Sequence, residues 1–214
     1  HVAKRTQETP GQRHPAGNPE KVRPLIQRIF GLLAALLLSA CASSQLMPLP
    51  EREQWHDFAV DARFALKTID QNGAAHSASG RLNWEHRAGR NQVLLANPVG
   101  IGLAELSTIP GKAVLRTADG KEYSDTDADL LLADLTGYPL PVSRLPDWLL
   151  GRGAANSSIE YDAQERPLQL RDSGWVIDYE YGNTTAGALP ERLRARREQD
   201  VDLRLRIEQW RPLP

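Results

Sequence analysis

The chain has 214 residues, of which 25% are charged, with a formal net charge of −1 and a single cysteine, Cys41. One thiol excludes an internal disulfide and offers no cysteine pair to a metal. From residue 41 onward 20 basic and 25 acidic side chains leave a net charge of about −5, which speaks against a nucleic-acid partner, since such binding rests on neutralising phosphates.

Residues 1–20 are polar, rich in Pro and Gly, and begin with His; they read as an upstream extension and not as part of a fold, and Val22 is a candidate initiator. Lys21, Arg23 and Arg28 then precede twelve uncharged residues, Ile29 to Ala40, that end in small side chains. This is the order of a secretory signal peptide. As a helix the segment covers only about 18 Å, short of the roughly 30 Å hydrocarbon core, so it is a poor permanent span. Leu38-Ser39-Ala40-Cys41 resembles the bacterial lipobox, in which the Cys becomes the first mature residue and carries a diacylglycerol thioether and an N-acyl chain. Cys41 is therefore the expected lipid anchor, and more than one acyl chain holds a protein firmly on a bilayer. Ala42, where Asp would favour inner-membrane retention, points to the outer membrane. Residues 1–40 are thus expected to be extension plus signal peptide, 41–50 a lipidated tether, and 51–214 a single domain.

The tether has no periodic pattern, and residues 51–57 predict one or two helical turns with Trp55 turned inward. Alternation then takes over. Val60, Ala62, Phe64, Leu66 and Thr68 share one face of a strand and Asp61, Arg63 and Lys67 the other. Further strands are predicted at 75–85, 92–96, 103–108, 111–116 and 120–123, separated by Gly-containing turns, which is the pattern of an antiparallel meander. The loop 97–102 holds two glycines and a proline yet also Val99 and Ile101, unusual for a segment facing water. Ser124 to Asp127 offer N-caps for a short amphipathic helix over 128–135, stopped by Gly137, and a second short helix is predicted over 143–150. Strands resume at 157–162, 168–172, 175–181 and 200–210, with 182–189 a loop; in the last strand Val201, Leu203, Leu205, Ile207 and Gln209 share a face. About ten or eleven antiparallel strands curl into a barrel or part of one, with the helices over its open face.

In this order the segments resemble the outer-membrane lipoprotein receptor LolB family. The resemblance is carried by Gly80-Arg-Leu-Asn-Trp84, Val93-Leu-Leu-Ala-Asn-Pro-Val-Gly100, Leu131-Leu-Ala-Asp-Leu-Thr-Gly-Tyr-Pro-Leu-Pro-Val142, Leu145-Pro-Asp-Trp-Leu-Leu-Gly151, Gly174-Trp-Val-Ile-Asp-Tyr179 and the closing Leu203-Arg-Leu-Arg-Ile-Glu-Gln-Trp210. It implies a mainly β fold of the LolA/LolB kind, an incomplete barrel with a helical lid and an apolar cavity for lipoprotein acyl chains. It also implies a monomer on the periplasmic face of the outer membrane, a periplasmic carrier of the LolA type as partner, and a protruding loop whose exposed Leu meets outer-membrane lipid. Val99 stands at that place here, with Ile101 beside it.

The candidate cavity residues are Phe64, Leu66, Leu82, Trp84, Leu94, Leu106, Leu132, Leu135, Trp148, Leu149, Trp175 and Ile177. No catalytic residue and no cofactor beyond the acyl chains on Cys41 is expected. His56, His76 and His86 lie in polar or turn-like surroundings, and neither a Gly-x-Ser-x-Gly elbow nor a His-Glu-x-x-His motif occurs. Asp125, Asp127 and Asp129 sit at a helix start, where acids complement the dipole, so no metal site is expected there. A structural lipoprotein of outer-membrane assembly, with a filled core and no acyl cavity, is the alternative, and a periplasmic hydrolase a third class.

Overall fold

The structure, a computed structural model, describes residues 52–70, 72–138 and 140–214; the signal segment, Cys41, the tether and Glu51 lie outside the described residues. Eleven strands form one antiparallel sheet in the order β6-β5-β4-β3-β2-β1-β11-β10-β9-β8-β7. They are β1 Phe58–Ile69, β2 Ala75–Arg87, β3 Arg90–Ala96, β4 Gly102–Ile109, β5 Lys112–Thr117, β6 Glu122–Asp125, β7 Ser158–Tyr161, β8 Pro167–Asp172, β9 Trp175–Glu180, β10 Arg192–Arg197 and β11 Val201–Pro212. All neighbours in this order are consecutive in sequence except β1 and β11, which join the two halves over most of their length. The edges β6 and β7 do not pair, so the barrel stays open. The segment between those edges carries two helices, α1 Ala128–Thr136 and α2 Leu145–Leu149.

The strands form where side chains alternate. In β1 Val60, Ala62 and Thr68 are buried while Arg63, Ala65 and Lys67 are exposed, as period-2 reading requires. A single 3-10 turn, Arg52–Gln54, leads into Trp55, which is buried edge-on against Trp210 with ring centroids 5.6 Å apart. Phe58 packs on the same Trp210 at 5.5 Å. Residues Pro48–Pro214 cluster as one compact unit that holds every strand pairing and the whole buried core found among the described residues, so this unit has what it needs to fold alone.

Two expectations are corrected. The ten strands read individually omitted β10, whose Arg-rich sequence has only Leu193 as a large inward side chain; it is placed by pairing to β9 and β11 on its two sides. In β11 the alternation breaks: Asp61 faces Gln209 but Ala62 faces Ile207, so Glu208 is an extra residue, a β-bulge. Beyond it Gln209 is exposed and Trp210 turns inward to the aromatic cluster.

Candidate functional site

Helix α1 starts at Asp127, whose carboxylate accepts from the amides of Asp129 and Leu130 at 2.7 and 3.3 Å, satisfying two free helix donors. It stops at Gly137, whose φ of 78° suits glycine and whose N–H returns to the Ala133 carbonyl. Only Leu131 of α1 is fully buried, whereas Leu130 and Leu135 are exposed. Asp129 reaches forward to the Ser143 hydroxyl and amide at 2.6 and 3.0 Å, tying the connection to the helix. Among the described residues no side chain of α1 hydrogen-bonds to a strand.

Helix α2 is held differently. Leu145, Pro146, Trp148 and Leu149 are all buried. The Trp148 indole N–H and the Arg144 guanidinium both donate to Asp172 Oδ2, at 2.9 and 2.7 Å, and the Ala154 amide joins them at 3.2 Å. The Ser173 hydroxyl donates to the other carboxylate oxygen at 2.8 Å. Burial alone would raise the Asp172 pKa, but donors from Trp148, Arg144, Ser173 and Ala154 outweigh it and bring the carboxyl down to about 2. The Tyr179 hydroxyl donates to the Trp148 carbonyl at 2.8 Å, and burial pushes that phenol above its ordinary range.

Between sheet and helices lies a cavity of about 150 Å³ whose lining side chains are all apolar. Eight of the twelve candidates line it: Phe64, Leu66, Leu82, Trp84, Leu106, Leu132, Trp148 and Trp175. Four do not. Leu94 is 47% exposed, because Val93 and Leu95 take the inward positions of β3 and leave Leu94 on the outer face. Leu135 is 38% exposed on α1; Leu149 and Ile177 are fully buried but pack elsewhere in the core. Val93, Leu95, Leu115, Leu140, Pro141, Val142, Leu145, Ala195, Leu203 and Leu205 line the cavity without having been expected. Alternation in phase with Leu82 and Trp84 was the available signal for Val93 and Leu95. A wider cleft of about 840 Å³ meets the cavity at Leu66 and is bordered by Thr68, Ile69, Tyr138 and Val201.

The second apolar feature is the loop after β3. Asn97 Oδ1 accepts from the amides of Val99 and Ile101 at 3.1 and 2.9 Å, and Gly100, at φ 98°, closes the turn on the Asn97 carbonyl. With its polar groups turned to the backbone, the loop presents Val99 81% exposed and Ile101 65% exposed, and Leu103 follows at 45%. Its foot is tight: a Cβ at Gly80 would collide with the Ala96 carbonyl and press on the Phe64 ring. The three aspartates at the start of α1 are a cap, its backing and a tie to Ser143, and the described residues contain no group of three or more His, Cys, Asp or Glu able to hold a metal ion.

A family profile described as outer membrane lipoprotein LolB matches residues 56–210. The outer-membrane lipoprotein LolB of Dechloromonas aromatica (strain RCB) is 43% identical over 183 residues, covering 86% of this chain and 96% of the relative. That of Azoarcus sp. (strain BH72) is 36% identical over 181 residues, covering 83% and 91%. A solved LolA superfamily protein from Nitrosomonas europaea overlays with a TM-score of 0.43 at 10% identity, over 75% of this chain and 88% of that one.

Proposed function

The chain belongs to the outer-membrane lipoprotein LolB family, and from that premise we propose that it accepts lipoproteins, takes their acyl chains beneath the helical cover, and passes them to the outer membrane. In this reading Cys41 carries the acyl chains that anchor the protein on the periplasmic face, and a periplasmic carrier of the LolA type delivers the cargo. The observation that carries the proposal is the cavity, which lies between sheet and helices and is lined by apolar side chains alone. A well-packed domain has no use for such a void, which forfeits dispersion contacts around its whole lining. This favours a receptor over a structural lipoprotein with a filled core.

Size adds a mechanistic step. At about 150 Å³ the hollow is that of an engineered site that holds benzene, below the roughly 300 Å³ of ordinary ligand pockets. An acyl chain therefore has to displace part of the cover. Leu132, Leu140, Pro141 and Val142 belong to the part that meets the hollow without a polar tie to the sheet. A methylene left in water would cost about 0.8 kcal/mol, so a chain has to stay covered throughout, and what drives the displacement is the better burial it gains here than in the site it leaves. The sequence holds no nucleotide-binding motif, and transfer runs as exchange from a weaker apolar site to a stronger one. The exposed Val99 and Ile101 then lead cargo into lipid.

The test is binding of an apolar fluorescent probe. One probe per protein, displaced by an acylated lipoprotein and not by its unacylated form, is the expected result. Non-saturable binding, or equal displacement by both forms, overturns the acyl-receptor reading.

A further inference from the structure

The outer face of the sheet carries a row of arginines that neither the cavity nor the fold requires. Register places Arg81 opposite Arg63, Arg63 opposite Arg206, and Arg206 opposite Arg192, on four adjacent strands. All four side chains are exposed. Like charges directly opposite one another across strands are destabilising, so the row costs stability and needs another reason to exist. Among the described residues carboxylates relieve it at two positions, Glu208 on Arg63 at 2.6 Å and Glu180 on Arg192 at 2.8 Å. Arg206, between two arginines, has no ion-pair partner among the described residues. Arg63, Arg206 and Arg192 of the row, with Arg194 and Arg204, border a groove of about 450 Å³ floored by Ala65, in which these five arginines face two acids, Asp178 and Glu180. Asp202, beside the groove, is already shared between Arg194 and Arg204 at 2.9 and 2.7 Å. This basic face stands in a chain whose residues from 41 onward carry more acids than bases.

The position of the row says what it meets. Arg81 is paired to Ala96, the residue at the foot of the apolar loop, and its Nε donates to the Pro98 carbonyl within that loop at 3.3 Å. With strands about 4.8 Å apart, the row runs roughly 15 Å from the loop's foot across the outer face. An exposed apolar tip with arginines behind it matches a bilayer surface, where apolar side chains enter the acyl region and guanidinium groups meet phosphates. We infer that the Arg81–Arg63–Arg206–Arg192 row is a docking site for anionic phospholipid headgroups, which holds the outer face against the bilayer while Val99 and Ile101 insert. The inference rests on the reading that the loop meets lipid, and the experiment separates the two.

The Pro48–Pro214 unit is mixed with vesicles of phosphatidylcholine alone or with phosphatidylglycerol added, and partition is read by flotation. Partition is expected to rise with the anionic lipid and to fall as salt is added, as screening of surface charge requires. Arg192→Gln with Arg206→Gln is expected to weaken partition onto anionic vesicles roughly ten- to thirtyfold, from about one kcal/mol for each basic residue near the surface, and the Arg192→Lys with Arg206→Lys pair to restore most of it. Equal partition onto both vesicles, or no loss in the Gln pair, overturns the proposal. Displacement by inorganic phosphate at matched ionic strength would make this a free-anion site and overturn it too. So would a Gln pair that keeps vesicle binding but loses binding to the carrier protein. Val99→Glu is expected to weaken partition onto both vesicle types. If it does so while the Gln pair has no effect, the loop reading stands and the arginine row alone fails; the opposite pattern removes the loop and leaves the row.

Discussion

Helix α2 is fixed to the sheet by hydrogen bonds to Asp172 and from Tyr179, whereas among the described residues no side chain of α1, eight residues before it, hydrogen-bonds to a strand, and it meets the hollow through an apolar side chain. Both lie over the same hollow and contribute to its lining, Leu132 from α1 and Leu145 and Trp148 from α2. The difference divides the cover by its cost of displacement. Lifting α2 would take the Trp148 indole N–H and the Arg144 guanidinium away from the buried Asp172 carboxylate and the Trp148 carbonyl away from the Tyr179 hydroxyl, whereas lifting α1 exposes leucines and breaks no side-chain hydrogen bond to a strand among the described residues. Under the proposed acyl-receptor function, helix α1 is therefore the part of the cover for cargo to displace, and α2 the fixed wall.

The sharpest way to break this comparison is to remove the fixing. Asp172→Ala takes the acceptor from the buried Trp148 indole and the Ala154 amide and leaves the partly exposed Arg144 with Asp147 alone, and a denaturant titration is expected to show about 2 to 3 kcal/mol of lost stability, the upper part of the range for a buried donor left unsatisfied. A loss below about 1 kcal/mol would mean that α2 is held by packing alone. Acid probes the same contact without mutation. Because the Asp172 carboxyl is depressed from its ordinary value of 3.8 to about 2, its contribution is complete above the unfolded value and is lost as pH falls through the folded one. Unfolding free energy should drop by roughly 2 kcal/mol more between pH 4 and pH 2 in the native chain than in Asp172→Asn, whose amide does not titrate there.

The third test moves to α1. Leu132 faces a hollow, so Leu132→Asp loses few packed neighbours and the new carboxylate can turn to water as the helix shifts. The expected cost is about 1 kcal/mol of stability but at least tenfold of apolar-probe affinity. Were stability to fall as far as in Asp172→Ala, α1 would be core and the contrast between the helices would vanish.

These features differ in how far the residues alone disclose them. The strands with one apolar face, β1 and β2 above all, are legible because alternation is a local signal, and so is α1 with its Asp127 cap and Gly137 stop. The Val93-Leu94-Leu95 run is apolar on both sides, and nothing within it says that Leu94 points outward; pairing with β2 and β4 decides that. β10 is hidden because it borrows its order from the neighbouring strands, and the Glu208 bulge because an inserted residue leaves composition unchanged. The Asp172 contact joins residues 144, 148, 154 and 172, which no spacing rule connects. Leu140, Pro141 and Val142 read as a connection between helices, yet they line the hollow, since a chain crossing an apolar mouth presents whatever side chains it has.

The smallest expected effect is also the most selective. Asp127 accepts from two amides at the start of α1 and from no strand, so Asp127→Ala removes a helix cap and leaves the fixed wall untouched. Loss of such a cap costs about 1 kcal/mol, felt first as fraying of the helix it caps. If α1 has to leave the hollow before an apolar chain enters, destabilising its closed position by that amount speeds probe uptake about fivefold, at a conversion of 1.36 kcal/mol per factor of ten. Stopped-flow mixing of the probe with native and Asp127→Ala protein reads this rate directly, and Tyr179→Phe serves as the control, since it loosens α2 by a similar free energy without touching α1. Faster uptake in Asp127→Ala alone identifies α1 as the gate. Equal acceleration in both variants would mean that the cover moves as one body, and no acceleration in either would place ingress at the Leu66 cleft with the helices still in place.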